Sequence, residues 1–172
     1  VAYEFAKEFI VPADAEEDDV PLIQPQSGGR RGPLPVLNQL SSLAEEGDFI
    51  AQEFHAINKE GYPWREMAVL YRIGFMGEAV VKRLRAAGIP VEWVGEGGGK
   101  KHFDPSEDSV KVMTIHMSKG LEFPAVAIAG LGYMPFKDFD PHGEAKLLYV
   151  GMTRAMEMLL MTCHKETDFV KR

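Results

Sequence analysis

Short apolar runs that alternate with amphipathic segments constrain the fold of this chain most strongly. Residues 66–72, Glu-Met-Ala-Val-Leu-Tyr-Arg, have the continuous apolar body of a strand that is buried on both faces. Comparable strand-like runs occupy 34–40, 90–94, 110–115, 125–129 and 158–162. Helical periodicity predicts helices over 42–60, 76–87 and 143–156. Strands alternating with helices indicate an α/β fold, a parallel sheet with helices on both faces.

The helix predicted over 42–60 has the clearest sequence boundary. Ser42 and Glu45 have the spacing of a capping box, and Ile50, Phe54 and Ile57 recur on one helical face. Helix formation is therefore expected to start at Ser42 and to bury that apolar face.

Length and composition fit one globular domain. The chain has 172 residues, of which 45% are hydrophobic and 26% charged. Residues 1–10 are typical of the end of a helix, and 13–32 of a flexible acidic connector, so residues 1–32 are expected to precede a domain over 33–172. The chain starts at Val1 without a signal-peptide pattern, which suggests a segment of a longer protein. With one cysteine, Cys163, and no long apolar stretch, a cytoplasmic location is expected.

The net charge of -7 is concentrated at the start of the chain. Residues 1–60 contain twelve acidic and four basic residues, whereas residues 61–172 have a formal charge of +1. The acidic run at 16–19 is typical of a solvated loop. The remainder of the chain is therefore compatible with a polyanionic partner such as nucleic acid.

Polar residues at strand ends are the first candidates for a site, because ligands bind parallel sheets at the carboxyl ends of strands. Tyr71 and Arg72 end one predicted strand, and the segment from Thr114 to Glu122 follows another. An aromatic ring and a guanidinium can stack on a base and bind phosphate. Taken alone, they could equally be residues that end a strand at the surface. All of these strand-end residues are expected at the same edge of the sheet.

The turn over 114–122 and the segment over 147–155 are the other two candidates. The turn brings hydroxyl, imidazole and ammonium groups next to backbone N–H groups that can bind phosphate, although each residue could also serve only to shape the turn. In the second segment, Leu147, Gly151 and Arg154 are predicted on one helical face, where Gly151 leaves room beside Arg154. Arg154 could instead interact favourably with the helix dipole.

Together the three segments resemble motifs of the UvrD-like family of superfamily 1 DNA helicases. Residues 68–72 resemble motif IV, 113–123 resemble motif V, and 147–155 resemble motif VI, in the order found in the family. The resemblance extends from about Gly32 to the C-terminus. It implies a RecA-like (P-loop NTPase-like) second motor domain of an ATP-dependent helicase that moves 3′ to 5′ on single-stranded DNA.

The resemblance also implies roles for individual residues. For ATP, it implies that Tyr71 stacks on adenine, that Glu122 binds the ribose beside Gly120, and that the γ-phosphate is contacted by two arginine fingers, Arg72 and Arg154. For single-stranded DNA, it implies that the phosphate backbone is contacted by Thr114 and His116, with Ser118 and Lys119 either shaping the turn or touching phosphate.

The phosphate-binding and metal-binding motifs of such an enzyme do not occur in the sequence. No Gly-x-x-x-x-Gly-Lys-Ser/Thr pattern is present, and Lys101 stands where the loop over 95–101 would need Ser or Thr. No predicted strand ends in an acidic pair that could hold Mg²⁺. The resemblance therefore implies that ATP and Mg²⁺ are held mainly by the first RecA-like domain of the same parent protein, and that the isolated chain is inactive. A short loop over 95–109 stands where many family members insert an accessory subdomain.

Two other functions remain open from the sequence. A non-catalytic DNA- or protein-binding module of the same fold would share these motifs, and a Walker sequence elsewhere in the parent protein would favour the enzyme instead. An unrelated phosphate-binding enzyme would need its own nucleophile or metal ligands. The histidines and Cys163 lack ligand-like spacing, with His142 and His164 as the nearest candidates.

Overall fold

A computed structural model describes residues 2–9, 33–95 and 104–171, and these residues form a six-stranded sheet. The sheet order is β1-β6-β5-β2-β4-β3, and every described strand pairing is parallel. The strands are β1 (Val36–Gln39), β2 (Met67–Tyr71), β3 (Val91–Trp93), β4 (Val110–Thr114), β5 (Phe123–Ile128) and β6 (Ala155–Cys163). The helices are α1 (Ala2–Phe9), α2 (Leu43–Lys59), α3 (Gly74–Ala86) and α4 (Pro141–Met152).

Helices cover both faces of the sheet because successive strand residues point in opposite directions. In β2, Met67, Val69 and Tyr71 pack with the buried side chains of α2 and α3. Ala68 and Leu70 point to the other face and pack with α4, against which α1 also lies. All five β2 residues are buried. The α/β fold predicted from continuous apolar runs is confirmed.

The start of α2 follows the predicted cap in part. The Ser42 hydroxyl accepts a hydrogen bond from the backbone N–H of Glu45 at 3.2 Å. The Glu45 carboxylate, however, accepts from the hydroxyl and backbone N–H of Ser41, at 2.6 and 3.3 Å, rather than from Ser42. These hydrogen bonds lower the pKa of Glu45 because they stabilise its charged form.

The last helix is shorter than the sequence suggested. It begins after Asp140, whose carboxylate caps the first turn, and ends at Met152 rather than at Met156. β6 then begins at Ala155, which pairs with Phe123 of β5. The prediction of a helix to Met156 is wrong because pairing with β5 draws these residues into the sheet.

One predicted connector, the segment over 13–32, lies wholly outside the described residues. Of the loop over 95–101, only residue 95 is described. Within the described ranges, no helix combines the length and apolar character needed to cross a membrane.

Candidate functional site

The turn over 115–122 runs from the carboxyl edge of the sheet, where its parallel strands end, to the amino edge, where they begin. Thr114 ends β4 in register with Tyr71 at the end of β2, whereas Glu122 immediately precedes β5. Because the strands are parallel, Thr114 and Arg72 lie at the carboxyl edge and Glu122 lies at the amino edge. The expectation that all these residues share one edge is therefore wrong for Glu122. The eight-residue turn must run back along the sheet to start a new parallel strand.

A pocket of about 460 Å³ lies at the carboxyl edge. This carboxyl-edge pocket is lined by Arg72, Ile73, Gly74, Thr114, His116, Met117 and Phe139. Arg72 Nε donates to Glu144 Oε1 at 2.8 Å, and the other carboxylate oxygen of Glu144 accepts from the backbone N–H of Phe136. The Phe139 ring centroid lies 4.6 Å from the Arg72 guanidinium carbon, within cation–π distance. Arg72 is thus held between a carboxylate and an aromatic ring.

The polar residues of the turn differ in accessibility. His116 and Lys119 are exposed and Thr114 is half-buried, with its hydroxyl accepting from the backbone N–H of Met117 at 3.3 Å. Ser118 is fully buried, and its hydroxyl donates to the carbonyl of Ile115 at 2.7 Å. Ser118 therefore shapes the turn, one of the two roles implied for it, and its buried hydroxyl is not accessible to a DNA phosphate.

Tyr71 lies in the hydrophobic core. Its side chain is fully buried, and its hydroxyl accepts a hydrogen bond from Trp93 Nε1 at 2.8 Å. The ring packs directly against Gly77 of α3, which has no side chain to obstruct it. The implied role of Tyr71 in stacking on adenine is wrong for this fold, because the ring is inaccessible to a nucleotide.

Gly77 is expected to be intolerant of even a methyl group. A Cβ atom at this position would lie 2.4 Å from Tyr71 Cζ. Gly77→Ala should lower the free energy of unfolding by about 1–3 kcal/mol, the typical effect of overpacking a core. Urea denaturation can measure this change. Gly74→Ala is the matched control, since a Cβ atom there meets nothing within 4 Å. Equal stability of the two variants would contradict the packing argument.

Arg154 lies at the amino edge, in the turn between α4 and β6. Its side chain donates to the carbonyls of Val150 and Leu121, at 3.1 and 3.0 Å, and to the Thr153 hydroxyl at 3.2 Å. Its own carbonyl accepts from the backbone N–H of Phe123 at 2.9 Å. These bonds fix the guanidinium next to the segment that ends in Glu122.

Two of the residues implicated in nucleotide binding, Glu122 and Arg154, lie at this amino edge. Glu122 is exposed, and so is Gly120 two residues before it in the turn, where a φ of 85° is one that glycine adopts readily. Arg72 lies at the opposite end of β2, on the order of 15 Å away for a five-residue strand. The structure does not bring Arg72 and Arg154 together, and their convergence on one γ-phosphate stays a prediction from the resemblance.

Gly151 also has a different role from the one expected. Arg154 lies beyond the end of α4, so Leu147, Gly151 and Arg154 do not share a helical face. A Cβ atom on Gly151 would lie 3.3 Å from side-chain carbons of both Ile115 and Ile128. The glycine lets α4 approach the sheet closely, and it does not leave space for a ligand beside Arg154.

Comparison with known proteins identifies the segment that carries these residues. A family model for the UvrD-like helicase C-terminal domain matches residues 98–166. Residues 98–166 are therefore similar to the UvrD-like helicase C-terminal domain family. The matched UvrD-like segment includes the turn over 115–122 and Arg154 but excludes residues 68–72, which resemble motif IV. The family match thus supports the motif V and motif VI resemblances and does not extend to motif IV.

Curated relatives align with about two fifths of the chain. The ATP-dependent DNA helicase Rep of Buchnera aphidicola subsp. Acyrthosiphon pisum is 47% identical over 70 residues, which cover 37% of this chain and 11% of that protein. DNA helicase II of Escherichia coli K12 is 44% identical over 71 residues, covering 37% and 10%. The ATP-dependent DNA helicase PcrA of Bacillus subtilis 168 is 39% identical over 74 residues, covering 39% and 9%. The aligned part of the chain spans about a tenth of the length of these relatives.

A solved structure extends the similarity in fold beyond the UvrD-like segment. The C-terminal domain of a possible DNA helicase from Lactobacillus plantarum WCFS1 superposes with a TM-score of 0.64 at 22% sequence identity. The superposition covers 99% of this chain and 89% of that chain. The parallel α/β architecture predicted from the sequence is thereby confirmed.

A buried polar cluster that joins α2 to the UvrD-like segment was not found from the sequence. Glu46 of α2 is fully buried and accepts from the Gly130 backbone N–H at 2.7 Å and the Thr162 hydroxyl at 2.5 Å. Its other oxygen lies 2.6 Å from His164 Nδ1. These residues are far apart in sequence, so no local spacing indicates the cluster. It ties α2 to the ends of β5 and β6.

Cys163 is next to His164 of this cluster, and its thiol is not activated. Burial raises the pKa of the Cys163 thiol, which keeps it in the less reactive protonated form. Within residues 2–9, 33–95 and 104–171, no group of three or more His, Cys, Asp or Glu side chains is arranged to hold a metal ion.

Proposed function

We propose that this chain is the C-terminal motor domain of an ATP-dependent DNA helicase. Its amino edge would contact ATP held by a first RecA-like domain of the same parent protein, and its carboxyl edge would contact single-stranded DNA. The observation that carries the proposal is the path of the turn over 115–122, which begins beside Thr114 and His116 at one edge and ends in Glu122 beside Arg154 at the other.

The hydrogen bonding of Arg154 suits it to act on a phosphate. The three hydrogen bonds described for its side chain go to uncharged oxygens, so its positive charge is not offset by a carboxylate among them. A guanidinium stabilises the charge that develops on a phosphoryl group during transfer. Exposed Glu122 can accept hydrogen bonds from ribose hydroxyls, and Gly120 leaves space for the nucleotide. These residues complement a phosphate cradle and a Mg²⁺ site that the sequence lacks.

The carboxyl edge suits contact with the DNA backbone. Exposed His116 and Lys119 and half-buried Thr114 can donate hydrogen bonds to phosphate oxygens. Arg72 belongs to this edge, where Glu144 offsets its charge, and we assign it here rather than to the γ-phosphate. Closure of the two motor domains on a nucleotide would then move the DNA-binding edge of this domain relative to the first motor domain. Repeated closure and opening would move the protein along DNA in the 3′-to-5′ direction typical of the family.

Stimulation of ATP hydrolysis by single-stranded DNA tests this function. The complete parent protein should hydrolyse ATP faster with DNA present. His116→Ala should raise the DNA concentration for half-maximal stimulation about 10-fold, because a hydrogen bond to a charged phosphate is lost. The rate at saturating DNA should change little. His55→Ala is the control, since its ring packs against Trp64 on the α2–α3 face.

The results separate the main alternative from the motor. DNA binding by the parent protein without any ATP hydrolysis would identify a non-catalytic binding module of the same fold. Hydrolysis that is indifferent to both DNA and His116 would contradict the assignment of the carboxyl edge.

A further inference from the structure

A triangle of hydrogen bonds includes one edge of the Arg154 guanidinium. Arg154 Nε donates to the carbonyl of Val150 at 3.1 Å, and Arg154 Nη2 donates to the Thr153 hydroxyl at 3.2 Å. The Thr153 hydroxyl in turn donates to the same Val150 carbonyl at 2.9 Å. Each of the three groups therefore contacts the other two, and the Thr153 hydroxyl is bonded to both the carbonyl and the guanidinium.

The backbone on both sides of this triangle is fixed. Thr153 directly follows the last residue of α4, and its backbone N–H donates to the carbonyl of Tyr149 at 3.1 Å. The carbonyl of Arg154 accepts from the backbone N–H of Phe123, the first residue of β5, at 2.9 Å. Thr153 is half-buried, and its β-branched side chain has few rotamers. The Thr153 hydroxyl is thus a rigid partner for the guanidinium.

The N–H groups that remain on Arg154 suit a phosphate. In an arginine, Nε has a single N–H group and each terminal nitrogen has two. The described hydrogen bonds use the Nε group and one group on each terminal nitrogen, with Nη1 donating to the Leu121 carbonyl at 3.0 Å. One N–H group therefore remains on each terminal nitrogen, and such a pair can bind two oxygens of one phosphate.

We propose that Thr153 is a positioning residue for phosphoryl transfer. Its hydroxyl holds the Nε edge of Arg154 beside Val150, which keeps both terminal nitrogens available to the γ-phosphate. The proposal rests on the function proposed above and adds a residue that does not itself touch the nucleotide. A preorganised donor needs no rearrangement as charge develops in the transition state, so its orientation contributes directly to the rate. A hydroxyl that only capped α4 would not affect this step.

Substitutions of Thr153 in the complete parent protein test the proposal. Thr153→Val removes the hydroxyl and keeps the shape of the side chain. It should lower the DNA-stimulated kcat about 10-fold, because a hydrogen bond to a charged group is lost. The KM for ATP should stay within about 2-fold of wild type. Binding of ADP with aluminium fluoride, which mimics the transition state, should weaken about 10-fold, whereas binding of ADP alone should not change. Thr153→Ser keeps the hydroxyl and should retain most of the kcat.

Thr167→Val is the matched control, because the Thr167 hydroxyl has no hydrogen-bond partner among the described residues. It should leave kcat and both affinities unchanged. A wild-type kcat in Thr153→Val, or an equal loss in Thr153→Val and Thr153→Ser, would overturn the positioning role. Equal weakening of ADP and of ADP with aluminium fluoride would also overturn it. If Arg154→Ala loses its kcat in any of these cases, the motor function stands without Thr153. If the wild-type protein hydrolyses no ATP, both proposals fail.

Discussion

Arg154→Ala should lower the DNA-stimulated kcat for ATP hydrolysis by the complete parent protein by about 10³-fold or more, the usual effect of removing an arginine finger. Arg154 lies in the turn after α4, with its guanidinium beside the carbonyl of Leu121. Its charge would act on the phosphoryl group only in the transition state. The loss should therefore appear in kcat more than in KM.

Arg72→Ala is the discriminating control. Arg72 is paired with Glu144 at the carboxyl edge, so its removal should spare the chemical step and weaken DNA binding instead. Arg154→Lys keeps a positive charge but loses the planar fork, and should remain well below wild type. An equal loss of kcat in Arg72→Ala and Arg154→Ala would contradict the separation of the two edges. A wild-type kcat in Arg154→Ala would contradict the assignment of Arg154 as an arginine finger.

A structural effect of the Arg154 substitution must be separated from a catalytic one. The side chain also holds the carbonyls of Val150 and Leu121, so alanine removes hydrogen bonds as well as charge. Urea denaturation of the same variant measures that structural effect. If stability falls while kcat is retained, Arg154 has a structural role only. If kcat collapses while the unfolding midpoint changes little, the guanidinium acts on the nucleotide.

The elements that the sequence predicted well are those determined by local pattern. The buried run of β2 and the apolar face of α2 appear at the expected positions, because burial selects residues with the period of a strand or a helix. The end of α4 was misplaced because pairing between Ala155 and Phe123, which are distant in sequence, determines it. The helix and strand propensities of residues 153–156 contain no information about pairing with Phe123.

The candidate site shows the same division between local and distant interactions. Motif resemblance brought Thr114, Glu122 and Arg154 into consideration, but the sequence could not show which sheet edge each one reaches. Tyr71 reads as an exposed strand-end residue, and only the close approach of Gly77 reveals that its ring is buried. The rule that ligands bind at carboxyl ends applies to residues directly after a strand. It does not extend to Glu122, which directly precedes β5.

A buried ion pair anchors the short loop that precedes β4. Lys111 Nζ lies 2.6 Å from Glu92 Oε2, and neither side chain is exposed. The residues are register partners on β3 and β4. Lys111 also donates to the carbonyls of Asp104 and Glu107, and Glu92 accepts from the backbone N–H of Asp104. Part of the loop expected to replace an accessory subdomain is thereby fixed to the sheet.

Lys111→Met should lower the free energy of unfolding by about 3–5 kcal/mol, because it removes the buried ammonium that pairs with the Glu92 carboxylate. Urea denaturation followed by circular dichroism measures the loss. The double variant Lys111→Met with Glu92→Leu should recover much of it, since two apolar side chains can replace a buried ion pair at little net cost. Equal destabilisation in the single and double variants would contradict this account and would assign the loss to the backbone contacts of Lys111.

Pro105 of the same loop lines a cavity with Glu122, so the single variant should also weaken nucleotide binding at the proposed amino-edge site.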